Sequence, residues 1–250
     1  MAAKIDLEFV ETQRDRIAYL AYEPRRSRNV TVVAAHGYSS SKQNLDLLCN
    51  FLASHGFAVF SLDFPGHKLG ASTGTLRTVD DLIASMAAVV ACARDADEAG
   101  GDSPLYLLGH SMGALAALLT AASDPSIAGV VSIATGIGRI AALQTLAAAG
   151  VTDLRSAYVD GLTLPQVVAE VEPRLMPALS ALAGRAQLYI AAERDMMVSR
   201  ASVQSLYDAA SEPKRFETVS SDHTFAAENS RGVVLSWLNS LHPRAVAAPV

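Results

Sequence analysis

Residues 105–114, Leu-Tyr-Leu-Leu-Gly-His-Ser-Met-Gly-Ala, hold the clearest chemistry in the chain. An apolar run with strand character ends in Gly109-His110-Ser111-Met112-Gly113, which fits G-x-S-x-G, a serine on a sharp strand-to-helix turn. Both glycines suit such a turn, where a side chain would collide with neighbouring backbone. Ala114, Leu115, Ala116, Ala117, Leu118, Leu119 and Ala122 follow as helix formers with an apolar face. A serine hydroxyl is a weak nucleophile at neutral pH and needs a base to take its proton. His223, in a polar stretch after the last strand-like run, is the candidate base. Asp195 would accept the other imidazole N–H, and Glu193, two residues earlier, is the competing acid. The backbone N–H of Met112, which opens the helix, can donate to a developing oxyanion. Each role has a plainer rival. Ser111 could simply cap its helix; His110 could pack under the turn; Asp222 could cap the next helix or face solvent. Among the other histidines, His242 lies beyond the final helix, and His55 and His67 precede the serine.

These residues must be positioned by a larger frame. Lys4–Thr12 and Arg16–Tyr22 alternate apolar and polar, as half-exposed antiparallel strands do. Asn29–Ala35, Phe57–Leu62, Leu105–Leu108, Ile127–Ala134 and Gln187–Ala192 are near-continuous apolar runs, the mark of strands buried on both faces of a parallel sheet. Lys214–Val219 is a further strand. Helical spacing fills the gaps: Gln43–Ser54, Thr78–Ala99 closed by Gly100-Gly101, Arg200–Ala210 and Ala226–Leu241. Strand and helix in alternation imply a sheet covered on both faces, with its ligand site outside the carboxyl ends of the strands. His36-Gly37-Tyr38, Asp63–Gly70, Ser111, Thr135-Gly136, Asp195 and His223 all fall there.

Between Thr135 and Gly184 no strand-like run occurs, and Ala/Leu-rich segments are interrupted by Gly150, Gly161, Pro165, Pro173 and Pro177. Residues 136–184 therefore read as a small helical lid, since roughly 50 residues is marginal for independent folding. Residues 1–135 and 185–242 form the body and 243–250 a disordered tail.

At this point the chain resembles the α/β-hydrolase superfamily, in its serine-esterase and monoacylglycerol-lipase-like branch. The resemblance is carried in order by His36-Gly37, Asp63-Phe64-Pro65-Gly66-His67, Gly109–Gly113, Asp195 and His223. It implies a mostly parallel sheet of about eight strands flanked by helices. It implies the Tyr38 N–H as second oxyanion donor, and favours Asp195 over Glu193 because Asp195-Met196-Met197-Val198 resembles the family's acid loop. Leu143 and Leu146 of the lid, with His110, Thr135, Met196 and Met197, are candidate pocket residues, core packing being the plainer role of the two methionines. Leu154, Tyr158, Leu162, Leu164, Val167 and Leu175 divide between pocket and body, and the Tyr38 phenol could face the pocket or the surface. Gly66–Ser72 is longer than the Gly-x-Gly-x-Ser loop of many relatives, and no Gly-Gly-Gly run follows His36.

The expected activity is hydrolysis of carboxylic esters of small to medium apolar acyl or aryl groups through an acyl-enzyme. Thioester, lactone, amide or carbon–carbon substrates use the same three side chains, and a hydrolase-like small-molecule binding protein is the non-enzymatic alternative. Serine at position 111 argues against dehalogenase or epoxide-hydrolase chemistry, which resemble this chain but carry Asp there. No metal or organic cofactor is required. A net charge of −5 without a Lys/Arg block argues against nucleic acid. The two cysteines, Cys49 and Cys92, read as buried thiols. Half of the residues are hydrophobic, yet no apolar run approaches the roughly 20 residues of a membrane span. The N-terminus lacks an apolar leader. The expectation is a cytoplasmic monomer or small homo-oligomer acting on a small-molecule ester.

Overall fold

The computed structural model describes residues 3–96, 103–138 and 154–243. Eight strands form one sheet: β1 (Lys4–Glu11), β2 (Arg16–Glu23), β3 (Thr31–Ala35), β4 (Ala58–Leu62), β5 (Leu105–His110), β6 (Gly129–Ile133), β7 (Ala186–Ala192) and β8 (Lys214–Val219). Their spatial order is β1-β2-β4-β3-β5-β6-β7-β8. Pairing is antiparallel for β1 with β2 and for β2 with β4, and parallel from β4 through β8.

The apolar runs alternate between two cores. Val33, Ala35, Leu105 and Leu107 face one layer of helices, and Val32, Ala34, Tyr106 and Leu108 face the other. A strand buried on both faces leaves no position for a charge, which is why β3 and β5 carry none. The first layer holds α2 (Val79–Asp95), α3 (Met112–Ser123), α4 (Leu164–Ala181) and α5 (Arg200–Ala209). The second holds α1 (Asp46–Ser54), α6 (Ala226–Asn229) and α7 (Arg231–Leu241). The helix expected over 226–241 divides at Ser230, whose hydroxyl donates to the Ala226 carbonyl. At the start of α2, the Asp81 carboxylate accepts the Arg77 and Thr78 N–H groups, satisfying donors that have no partner within a first helical turn. The rest of the helix expected over 78–99, residues 97–99, and its closing Gly100-Gly101 lie outside the described residues.

The prolines between 161 and 184 do not interrupt the chain as expected. Pro165 sits in the first turn of α4, and Pro173 and Pro177 lie inside it. Each interior proline removes a backbone hydrogen bond at a cost of ~3 kcal/mol. The helix persists because Val167, Val168, Val171, Leu175 and Leu179 are buried against the body, each contributing ~1.5–3 kcal/mol. The C-terminal part of the segment expected to form a lid is thus built into the first helix layer. Its residues 139–153 lie outside the described residues, as do 244–250. Among the described residues no helix is long and apolar enough to cross a membrane.

Candidate active site

The β5–α3 junction is as tight as its glycines suggested. A Cβ on Gly109 would lie 2.2 Å from the Ala114 nitrogen, and one on Gly113 would lie 2.2 Å from the Ala35 carbonyl oxygen. Between them Ser111 adopts φ 54° and ψ −114°, a strained conformation for a residue with a side chain. The Ser111 N–H donates to the Ile133 carbonyl at 2.8 Å, tying the turn to β6. Although Ser111 stands at the N-cap position of α3, its hydroxyl makes no capping bond. The Oγ is instead 3.0 Å from His223 Nε2.

His223 follows β8 in a short loop. Its Nδ1 is 2.7 Å from Asp195 Oδ2, and the other Asp195 oxygen accepts the Met197 and Val198 N–H groups at 2.8 Å each. The Asp195 side chain is 1% exposed and that of His223 11%. Burial alone would raise the Asp195 carboxyl, but His223 and the two amides outweigh it and hold the group below the usual carboxylate range. A permanent carboxylate at Nδ1 leaves Nε2 as the nitrogen that can accept a proton from Ser111. Glu193, the competing acid, is exposed. Asp222 accepts the Phe225 N–H, a local cap.

His110 lies beside His223, with ring centroids 5.0 Å apart, and its Nε2–H donates to the His223 carbonyl at 2.8 Å. Burial, followed by the neighbouring His223, lowers its pKa to about 4, so this ring is neutral at neutral pH. It therefore holds the His223 backbone without adding charge. His242 is bonded to the Tyr106 hydroxyl at 2.7 Å and His55 to the Phe51 carbonyl at 2.7 Å, both at the opposite ends of the strands.

On the other flank, β3 runs into His36-Gly37-Tyr38 and then a 3-10 turn, Lys42–Leu45, that precedes α1. This loop is clamped by a buried ion pair. Asp63 is 0% and Lys42 1% exposed, and the carboxylate accepts the Lys42 ammonium, the Lys42 N–H at 2.7 Å and the Ala71 N–H at 2.7 Å. Burial pushes the Asp63 carboxyl up, and the Lys42 ammonium with the two amides pulls it below its usual range. The Tyr38 phenol donates to the Leu162 carbonyl at 3.1 Å. It thus bridges this loop and the chain leading into α4.

A cavity of about 190 Å³ opens above Ser111, lined by Gly37, Tyr38, Ser39, Ser40, Asn44, His110, Ser111, Arg155, Leu164, Met197, His223 and Thr224. Of the pocket residues named from sequence, His110, Met197 and Leu164 line this cavity. Met196 is 96% exposed and is not among the lining residues. Thr135 is wholly buried and is not among the lining residues. Leu143 and Leu146 lie outside the described residues. Leu154 and Tyr158 are exposed, whereas Val167 and Leu175 belong to the core. Sequence reasoning missed Ser39, Ser40, Asn44, Thr224 and Arg155. The first four sit within a few residues of Tyr38 or His223 and could have been found by extending each loop; Arg155 had no local signal.

Comparison with known proteins decides the family. A model described as "Serine aminopeptidase, S33" (Hydrolase_4) matches residues 26–180, more than half of the chain. The chain belongs to this α/β-hydrolase family. The S33-family chain is also 31% identical over 106 residues to the "Monoglyceride lipase homolog" of monkeypox virus, a match covering 42% of this chain and 38% of that relative. An esterase of Pyrococcus furiosus superposes with a TM-score of 0.75 at 20% identity, covering 96% of this chain and 92% of that one. The thioesterase domain from the curacin biosynthetic pathway superposes with a TM-score of 0.64 at 14% identity, covering 94% and 99%. At those identities the structural likeness concerns the fold.

Proposed function

We propose that this α/β-hydrolase is a carboxylesterase-type serine hydrolase that forms an acyl-enzyme on Ser111. The observation that carries the reading is the continuous contact from Asp195 Oδ2 through the His223 ring to Ser111 Oγ, at 2.7 and 3.0 Å, on the floor of a cavity. His223 removes the hydroxyl proton as Oγ attacks the ester carbonyl and returns it to the departing alkoxide; water then repeats the cycle on the acyl-enzyme. The N–H groups of Met112 and Tyr38 hold the oxyanion, each such donor being worth ~2.7–4 kcal/mol. The cavity volume and the apolar surfaces of Tyr38, Leu164 and Met197 favour esters with a small to medium apolar acyl or aryl group. Of residues 136–184, the segment expected as a lid, the described Arg155 and Leu164 line this cavity and α4 packs on the body.

Incubation with a fluorophosphonate followed by peptide mass spectrometry tests the reading, with p-nitrophenyl esters of increasing acyl length run alongside. A single adduct on Ser111, burst kinetics and a rate maximum at short acyl chains are expected. Folded protein that leaves Ser111 unlabelled overturns the nucleophile assignment. Labelling without ester turnover overturns the ester assignment and directs attention to thioesters and lactones.

A further inference from the structure

We propose that His36 is a positioning residue: its ring sets the orientation of the Gly37–Tyr38 peptide and so aims the Tyr38 N–H at the oxyanion. The inference rests on the reading of Ser111 as the nucleophile. It begins with a conflict inside the loop. Gly37 passes close to the elbow, where a Cβ would lie 3.2 Å from His110 Nδ1 and 3.3 Å from Ser111 Cβ, so a small residue suits this position. Glycine, however, leaves the following peptide free to take either of two opposite orientations. Only one of them turns the Tyr38 N–H toward the reacting oxygen.

The His36 ring selects between them, and the direction of its two hydrogen bonds is unambiguous. The Phe64 N–H lies 3.0 Å from His36 Nε2. A backbone N–H can only donate, so Nε2 is the unprotonated nitrogen and the ring proton is on Nδ1. Nδ1 is 2.8 Å from the Gly37 carbonyl oxygen, which can only accept. Both contacts thus demand the same neutral tautomer. A trans peptide is planar, with its C=O and N–H pointing to opposite sides. Holding the Gly37 oxygen against the buried ring therefore turns the Tyr38 N–H away from it, and Gly37, Tyr38 and Ser111 line one cavity. The ring itself has no room to swing: it is wholly buried, edge-on to Phe64 at 5.1 Å and to His67 at 4.9 Å. A donor fixed before the reaction needs no reorganisation when charge develops, which is the source of its catalytic value.

Two amide variants separate this role from simple packing. His36→Asn places an N–H donor where Nδ1 stands, whereas His36→Gln keeps an acceptor for Phe64 and offers nothing at that position. With p-nitrophenyl butyrate, His36→Gln is expected to lower kcat about 10- to 100-fold with KM within about twofold, and to weaken inhibition by phenylboronic acid by the same factor as kcat. His36→Asn is expected to recover most of both. Far-UV circular dichroism establishes that each variant is folded, and His36→Leu, which fills the volume without either bond, stands in if His36→Gln is not. Equal losses in the Asn and Gln variants, a loss confined to KM, or an unchanged kcat in His36→Gln overturns the inference while fluorophosphonate labelling of wild-type Ser111 keeps the site reading intact. Absence of that labelling in the wild type removes both.

Discussion

Two imidazole–carboxylate pairs flank the same cavity, and they differ in what each nitrogen and each oxygen touches. In one, His223 Nδ1 meets Asp195 directly at 2.7 Å and Nε2 turns to the Ser111 hydroxyl. In the other, His36 Nε2 stands 3.9 Å from Asp63, both ring nitrogens are taken by backbone groups, and the carboxylate is gathered around Lys42 and the Ala71 amide. The first pair reaches the cavity, with 11% of the His223 side chain exposed; the second has none of either side chain exposed. Burial lowers the His36 pKa to about 3, with His67 adding to the effect, so that ring stays neutral at neutral pH. Residue type is therefore a poor guide to role. An imidazole becomes a base when one nitrogen is held by a carboxylate and the other is left to a proton donor. It becomes part of the frame when the backbone takes both.

The difference can be broken from either side. Asp195→Asn removes the charge behind His223 and is expected to lower kcat about 10⁴-fold with the fold retained, read by ester hydrolysis and circular dichroism. An activity within a factor of ten of wild type would dissolve the distinction between the two pairs. On the other flank, Lys42→Met strands the Asp63 carboxylate in the core and is expected to cost ~3–5 kcal/mol in urea unfolding. Adding Asp63→Asn should return part of that loss, because the unpaired charge rather than the missing bond dominates it. A single Lys42→Met variant as stable as wild type would show that the clamp contributes nothing.

The pH dependence of stability sharpens the same contrast. His110 keeps its neutral form down to about pH 4 in the folded protein, against an ordinary value of 6.5. Between those values the unfolded chain binds the proton and the folded chain does not, so stability falls as pH drops through that window. The slope from this ring reaches about 1.4 kcal/mol per pH unit. His110→Gln should make the thermal midpoint less steep against pH over that range, with His36 still contributing; an unaltered slope would place the lost stability elsewhere. The smallest effect belongs to Glu193→Gln. An exposed side chain two residues from Asp195 should change kcat by less than about twofold, and a large loss would move the acid from Asp195 to Glu193.

Much of this arrangement was legible before any coordinates. Gly109, Ser111 and Gly113 announce themselves because a strand-to-helix turn makes purely local demands. Asp195 lies just past Gln187–Ala192, an apolar and buried run, whereas His223 follows the half-exposed, charge-bearing strand Lys214–Val219 and is marked only by its place in the polar stretch after it. Pro173 and Pro177 read as breaks within the 136–184 segment, because prolines signal helix breaks locally while α4 is held by packing against the body. Met196 and Met197 could not be told apart by type or position. In the folded chain Met197 lines the cavity and Met196 is exposed.

The order of apolar runs determined the sheet, and the spacing of small and polar residues at strand ends determined where the chemistry gathers. Those are short-range consequences of backbone geometry and of burying apolar side chains. Tertiary structure alone decided that Lys42 and Asp63, 21 residues apart, share a buried ion pair. It alone decided that Tyr38 reaches Leu162 across 124 residues and that His36 takes one defined tautomer. Each depends on which groups become mutual neighbours once water is excluded. No local pattern encodes that, because the partners are brought together only by the packing of the whole sheet.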